Sequence, residues 1–253
     1  MLLHSKIIGE GQPFLIVHGL FGSADNWGTL GKKFAMNFQV HLIDLRNHGR
    51  SFHSDEMNYD VMVQDLKFYV SHYGLKDVLL LGHSMGGKVA MKFAIDYPDV
   101  LEKVIVADIA PKEYPPHHQS IMKAMLQVDF SKVSSRKEVD IVLSNYITDI
   151  GVKQFILKNV YWTEDKKLAF RMNVQSLSDH YNELMSSNLL GVFDKPTLFL
   201  KGENSFYIQE EDQELITTYF PKAEITLISK SGHWLHAENP TDFYNEVLRF
   251  ANK

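Results

Sequence analysis

A serine flanked by glycines is the most distinctive chemical feature of the chain. The segment Gly82-His-Ser-Met-Gly86 directly follows an apolar run and directly precedes a helical pattern, and Gly87 adds a third small residue. A serine at such a strand-to-helix turn is held in a strained conformation, which small neighbours permit because strand and helix pass close to it. The helix N-terminus carries partial positive charge that favours a developing anion. The motif therefore predicts Ser84 as a nucleophile.

A serine hydroxyl is a weak nucleophile unless a base removes its proton. The candidate base is His233, in the segment Ser231-Gly-His-Trp-Leu-His236, which comes just after the last predicted strand. His236 is the alternative base, although we expect it to pack beside the final helix. The other histidines, including the neighbours His117 and His118, lack the spacing with carboxylates that a metal site needs, so we expect no metal and no cofactor.

A nucleophilic serine also needs hydrogen-bond donors for the oxyanion that forms when it attacks a carbonyl group. The segment His18-Gly-Leu-Phe-Gly22 follows the first buried strand, and a glycine-flanked loop at that point can turn its amides toward the serine. The backbone N–H groups of Leu20 and Met85 are the predicted donors. These are main-chain roles, so the side chains give little further information.

Short apolar runs alternate with helical patterns along most of the chain. Continuous apolar runs indicate strands that are buried on both faces, as in a parallel sheet. The predicted strands are 13–18, 40–45, 77–81, 104–107, 196–200 and 224–228. The predicted helices between and after them are 59–73, 85–97, 210–219 and 241–251. This order predicts an α/β fold with right-handed crossovers.

The alternation stops after residue 111 and resumes near residue 194. Between these points the sequence predicts mainly helices, over 120–128, 135–146 and 164–185. We therefore expect one α/β body, formed by residues 1–111 and 194–253, with a helical cap inserted at 112–193. An insertion of this size cannot hold a large core of its own.

Composition excludes several other classes of protein. The chain has 253 residues, of which 45% are hydrophobic and 23% charged, as in ordinary globular proteins. The net charge of −5 offers no positive field for a nucleic acid. There is no cysteine, which excludes disulfides and a thiolate nucleophile. The longest apolar runs are too short to cross a bilayer and no secretory signal is visible, so we expect a cytoplasmic protein without a membrane span.

Four groups of residues together resemble the α/β-hydrolase superfamily over nearly the whole chain. They are His18-Gly19, Asp44-x-Arg46-x-x-Gly49-x-Ser51, Gly82-x-Ser84-x-Gly86 and Gly232-His233. More narrowly, the segments that begin at His18, Asp44 and Asp108 resemble the bacterial YbfF-type esterases. The resemblance implies an α/β-hydrolase fold, a mostly parallel sheet flanked by helices, with a helical cap over the pocket. It also implies a short-acyl esterase or an acyl-CoA thioesterase.

The chain offers two candidates for the carboxylate that would orient His233. Most of the superfamily carries it in a Gly-x-x-Asp turn after the penultimate strand, but here the turn ends in Ser205, which cannot hold a negative charge. Asp108 follows the strand after the nucleophile's own strand, and the YbfF-type resemblance implies an acid there. Glu203 is the alternative. We expect Asp108 to be the acid, and a hydrogen bond from Ser205 to it is a hypothesis.

These residues predict acyl transfer from a small-molecule carboxylic ester or thioester to Ser84 and then to water. The same triad also suits C–C bond hydrolysis or perhydrolysis. A non-catalytic receptor that uses the pocket is the alternative from another class. The carboxylate nucleophile of epoxide hydrolases and dehalogenases is disfavoured because the chain has Ser84 in its place. The oligomeric state is left open.

Overall fold

The computed structural model describes all 253 residues and builds the chain around a seven-stranded sheet. The strands in chain order are β1 (Ser5–Ile8), β2 (Pro13–Val17), β3 (Gln39–Ile43), β4 (Val78–His83), β5 (Leu101–Ala107), β6 (Val160–Trp162), β7 (Leu168–Phe170), β8 (Thr197–Gly202) and β9 (Ala223–Ile228). The sheet order is β1-β3-β2-β4-β5-β8-β9, while β6 and β7 form a separate hairpin. Only β1 pairs antiparallel within the large sheet. The predicted mostly parallel α/β-hydrolase sheet is confirmed, although β1 was not predicted.

Eleven α-helices connect the strands. They are α1 (Gly28–Phe34), α2 (Tyr59–His72), α3 (Met85–Asp96), α4 (Gln119–Leu126), α5 (Arg136–Ser144), α6 (Ile150–Leu157), α7 (Val174–Asp179), α8 (Tyr181–Met185), α9 (Asp212–Tyr219), α10 (Leu235–Glu238) and α11 (Pro240–Ala251). Local sequence explains where the longer ones begin. The Asn58 side chain accepts a hydrogen bond from Val61 N–H at the start of α2, and Asn239 does the same for α11, with Pro240 in its first turn. None of these helices has the length and apolar character needed to span a bilayer.

The two faces of the sheet are covered by different helices. On β2, Leu15 and Val17 belong to the hydrophobic cluster that includes α2 and α3. Phe14 and Ile16 belong to the cluster that includes α1 and α11. Side chains of a strand point alternately to opposite faces, so one apolar run supplies both cores. This burial on both faces is the reason that the strands appear as continuous apolar runs.

The chain between β5 and β8 carries α4 to α8 and the β6–β7 hairpin. The predicted single helix over 164–185 is wrong. Residues 163–167 form the turn of the hairpin, in which Lys166 has a φ of 57° and donates its N–H to the Thr163 carbonyl at 3.0 Å. The charged residues of this turn favour a helix by composition, but pairing of the apolar strands on either side prevails. Helix α6 was not predicted, although the Asp149 side chain caps it through Val152 N–H at 2.8 Å.

Helix α3 passes so close to the strands that glycine is required at its first turn. A Cβ atom on Gly86 would lie 2.5 Å from the carbonyl oxygen of His18 and 2.6 Å from that of Val17. A Cβ on Gly82 would lie 2.0 Å from the Gly86 oxygen. These atoms belong to backbone that cannot rotate away, so the glycines set the distance between β4, α3 and the end of β2.

Gly86→Ala is therefore expected to destabilise the protein by about 2–3 kcal/mol, because the new methyl group overpacks the turn. For a chain of this length, that corresponds to a fall in Tm of roughly 5–10 °C in a thermal unfolding measurement. The matched control is Gly28→Ala at the start of α1, where an added Cβ meets nothing within 4 Å. Equal Tm values for the two variants would contradict this account of the turn.

Candidate active site

Ser84 occupies a strained turn between β4 and α3. Its φ of 53° and ψ of −119° are rare for a residue with a side chain. Its N–H donates to the Ala107 carbonyl at 3.0 Å, and its own carbonyl accepts from Gly87 N–H at 2.8 Å. Such strain costs about 1–3 kcal/mol and persists only where the surroundings enforce it. The turn leaves the hydroxyl half-buried at the carboxyl end of the central strands.

His233 lies in the loop after β9 and reaches the serine. Its Nε2 is 3.0 Å from Ser84 Oγ. The imidazole stacks on the Tyr207 ring, with centroids 3.8 Å apart and an angle of 18° between the planes. The His83 Nε2–H donates to the His233 carbonyl at 2.7 Å. Ring and backbone of His233 are thus both held in place before any substrate binds.

Asp108 follows β5 and has a completely buried side chain. Its Oδ2 is 2.7 Å from His233 Nδ1 and also accepts a hydrogen bond from the Ser205 hydroxyl. Its Oδ1 accepts from Gly202 N–H at 3.0 Å. A carboxylate accepts only, so Nδ1 of His233 carries the proton and Nε2 presents its lone pair to Ser84. This is the tautomer that a general base needs.

The alternative residues named from the sequence lie elsewhere. Glu203 Oε2 accepts from Lys230 N–H at 2.6 Å, on the exposed turn beside β9, and makes no hydrogen bond to His233. His236 stacks on Trp27, with centroids 4.3 Å apart and planes at 12°. It makes no hydrogen bond to Ser84, and its buried Nδ1 has no partner. Ser205 stands at the position of the missing aspartate and donates to Asp108 instead.

The loop that follows β2 is held by two histidines. His18 Nε2 accepts from Leu45 N–H at 3.1 Å, and its Nδ1–H donates to the Gly19 carbonyl at 2.8 Å. His48 Nε2 accepts from Phe21 N–H at 3.3 Å. Burial lowers the pKa of His18, and that of His48 to about 3, so both rings are neutral at pH 7. Neutral rings are necessary here because each Nε2 needs a free lone pair to accept a hydrogen bond from a backbone N–H.

The two predicted oxyanion donors border the serine. Leu20 and Met85 line a narrow cleft together with Ser84. Met85 is the first residue of α3, and the first N–H groups of a helix have no partner inside it. A Cβ on Gly19 would lie 3.1 Å from Ser84 Cβ, which shows how closely the loop approaches the serine. Both residues therefore lie at the edge of the site, and their role as oxyanion donors stays a prediction.

A cavity of about 400 Å³ opens in front of Ser84. This volume lies within the range for small-molecule sites. Its floor is formed by the serine loop and the loop after β2, and its far wall by α4 and α6. The side chains that give it an apolar character include Leu20, Trp27, Ile121, Phe155, Tyr207 and Trp234. No group of three or more histidine, aspartate or glutamate side chains in the structure is arranged to hold a metal ion.

Three residues that contact the site were not identified from the sequence. Tyr207 stacks on His233, His83 supports the His233 loop, and Lys88 follows Ser84 by one helical turn. The sequence spacing of Tyr207 and Lys88 does not mark them as site residues, because their partners lie far away in sequence. Only His83 carries a local signal, since it occupies the position between Gly82 and Ser84 in the serine motif.

Comparison with known proteins identifies the family. A model of the alpha/beta hydrolase fold matches residues 12–140. Esterase YbfF of Escherichia coli K12 is 34% identical over 242 residues, which cover 95% of this chain and 93% of that protein. This chain belongs to the α/β-hydrolase family. The predicted resemblance to YbfF-type esterases is confirmed.

Two further members of this α/β-hydrolase family are more similar in sequence. The sn-1-specific diacylglycerol lipase ABHD11 of Mus musculus is 37% identical over 245 residues, which cover 93% of this chain and 80% of the lipase. The solved structure of a marine microorganism esterase has a TM-score of 0.96 and 41% identity, and the match covers 98% of this chain and 99% of that one. The match extends over both the strands and the helical segment between β5 and β8.

Four buried histidines around the site make a testable contribution to stability. They are His18, His48, His83 and His236, and burial lowers the pKa of each, to about 3 for His48 and His236. In the unfolded chain the same rings titrate near pH 6.5. Below that pH the unfolded state therefore binds more protons than the folded state, and acid favours unfolding.

The free energy of unfolding is accordingly expected to fall by roughly 1 kcal/mol per pH unit for each of His48 and His236, whose folded pKa is about 3, as the pH decreases from 6.5 toward 4. Urea titrations at several pH values measure this slope. In His236→Phe the dependence of the unfolding free energy on pH should be weaker by the contribution of one histidine, roughly 1 kcal/mol per pH unit. A slope that is unchanged in this variant would show that His236 is not neutral in the folded protein.

Proposed function

We propose that this chain is a carboxylic ester hydrolase that works through a covalent acyl group on Ser84. The observation that carries the proposal is the continuous hydrogen-bonded series from Asp108 through His233 to Ser84, with distances of 2.7 and 3.0 Å. The esterase and lipase names of the relatives support the same conclusion. Serine, imidazole and buried carboxylate in this order are the parts that acyl transfer requires.

In the first half of the proposed reaction, His233 Nε2 takes the Ser84 proton while Oγ forms a bond to the acyl carbon. Charge moves to the carbonyl oxygen, which Leu20 and Met85 N–H stabilise. The carboxylate of Asp108 stabilises the imidazolium that results. The Nε2 proton then passes to the alcohol oxygen as the ester C–O bond breaks, and the acyl group remains on Ser84.

In the second half, water takes the place of the alcohol. His233 removes a proton from the water as its oxygen attacks the acyl carbon, and the same two N–H groups stabilise the charge. The proton returns to Ser84 Oγ when the acyl–serine bond breaks. A carboxylic acid leaves and the enzyme is restored. Each step uses only protons and electron pairs already present, so the reaction needs no cofactor.

We further propose that residues 112–193 act as a cap on a body formed by 1–111 and 194–253. Helices α4 and α6 contribute Ile121, Val152 and Phe155 to the wall of the cavity. The buried side chains of this segment join the hydrophobic cluster of α2 and α3. A wall built in this way excludes water from the reacting atoms and gives the pocket its apolar surface. Esters of short acyl chains are the proposed substrates, with acyl-CoA thioesters as a second class.

The enzyme proposal is tested with p-nitrophenyl acetate and butyrate, and with acetyl-CoA as the thioester. The natural chain should hydrolyse the esters, and Ser84→Ala should reduce kcat by about 10⁴ or more, because no nucleophile remains. Ser71→Ala, an exposed serine near the end of α2, is the matched control and should keep full activity. Equal rates for both variants would show that Ser84 is not the nucleophile.

The assignment of the acid has its own test. Asp108→Asn should lower kcat by up to about 10⁴, because the amide favours the wrong tautomer of His233. Glu203→Gln should change kcat by less than about threefold, since its partner is the backbone of Lys230. Circular dichroism checks that both variants fold. The reverse ranking of the two variants would assign the role to Glu203.

A further inference from the structure

A second and much narrower cleft meets the main pocket at Ser84. Its volume is about 20 Å³, little more than the space that one water-sized group occupies. Leu20 and Met85, the proposed oxyanion donors, border it, and Tyr114, Leu184 and Met185 form its wall. A carbonyl group whose oxygen lies between the two donors therefore has this cleft directly beside it.

The wall of the cleft is fixed at the end of α8 by side chains from the body. The Tyr59 hydroxyl donates to the Leu184 carbonyl at 2.6 Å. Lys88 Nζ donates to the carbonyls of Met185 at 2.9 Å and Ser186 at 2.6 Å. These bonds from α2 and α3 satisfy the carbonyls of Leu184 and Ser186 where the helix ends, while the Met185 carbonyl also accepts from Tyr114 N–H at 3.0 Å. This stretch cannot move away from the serine unless these bonds break.

Lys88, which holds the end of α8, is a buried lysine. It is 5% exposed, and it follows Ser84 by one turn of α3. Its ammonium group lies 5.7 Å from the centre of the Tyr59 ring and 5.1 Å from that of Tyr114, and the Glu113 carboxylate acts on it only from beyond salt-bridge distance. Burial lowers its pKa to about 7. A buried ammonium group is costly, and here its hydrogen bonds go to the carbonyls at the end of α8.

We propose that the acyl chain of the substrate occupies the narrow cleft, and that Lys88 is a positioning residue that limits its length. The inference rests on the proposed ester hydrolysis. An acetyl methyl group fits the cleft as it stands. Each further methylene group requires the Leu184–Met185 wall to move, which the bonds from Lys88 and Tyr59 oppose. The alcohol or thiol part then lies in the cavity of about 400 Å³.

The experiment measures kcat/KM for p-nitrophenyl acetate, butyrate, hexanoate and octanoate. The natural chain should prefer acetate. Lys88→Met keeps the aliphatic stem and removes the ammonium group, so the hexanoate-to-acetate ratio should rise by about 10-fold or more. Met185→Ala enlarges the cleft directly and should shift the ratio in the same direction. Lys88→Arg, which keeps the charge and the donors, should return the ratio toward the natural value.

Two control variants match these changes. Lys92→Met makes the same substitution one turn further along α3, where the ammonium group pairs with Asp60 and Asp96. Met125→Ala removes a buried methionine from α4 that lines neither cavity. Both controls should keep the natural chain-length ratio. Thermal unfolding identifies any variant that fails to fold, and Met185→Ala tests the cleft independently of Lys88.

The possible outcomes separate this inference from the function on which it rests. If the natural chain hydrolyses octanoate as well as acetate, or if the ratio is unchanged in folded Lys88→Met and Met185→Ala, the acyl chain does not occupy the cleft. An equal loss for all four esters would give Lys88 a purely structural role. If no ester is hydrolysed and Ser84→Ala behaves like the natural chain, the proposed function itself fails.

Discussion

The buried carboxylate of Asp108 is the interaction on which the rest of the site depends. A completely buried negative charge is costly unless hydrogen bonds compensate it, and here three donors do so, from Gly202, Ser205 and His233. They come from β8, from the turn after it and from the loop after β9. The ends of neighbouring parallel strands are thus tied together around one charge. Because that charge fixes the tautomer of His233, the packing of the sheet sets which nitrogen of His233 faces Ser84.

The carboxylate also explains how a serine replaces an aspartate in the turn after β8. Ser205 has no charge to offer, but its hydroxyl donates to an acid supplied by the neighbouring strand. Strands β5 and β8 are adjacent, so either strand end can reach His233. In the proposed triad, a carboxylate on either strand end would leave His233 and Ser84 in place. The position of the charge in space matters, whereas the strand that provides it does not.

Much of this arrangement was predictable because the decisive signals are local. The glycines around Ser84 reflect contacts within a single strand-to-helix turn, and the apolar runs reflect burial of the sheet on both faces. The prediction of Asp108 required the resemblance to YbfF-type esterases, since no local sequence pattern marks the residue after β5. Tyr207 and Lys88 were not predicted because their partners are remote in sequence. The hairpin around Lys166 was mistaken for a helix because composition says little about pairing between strands.

The hydrogen bond from His83 to the His233 carbonyl has a consequence for how this site can change. The second position of a Gly-x-Ser-x-Gly motif can by definition be any residue. In this chain it is His83, whose side chain supports the loop of His233, 150 residues further along the sequence. A homologue with another side chain there must brace the imidazole loop differently. Variant libraries that randomise this motif to alter substrate selectivity would also remove the hydrogen bond that holds the His233 loop. His83 is therefore best kept unchanged in such libraries.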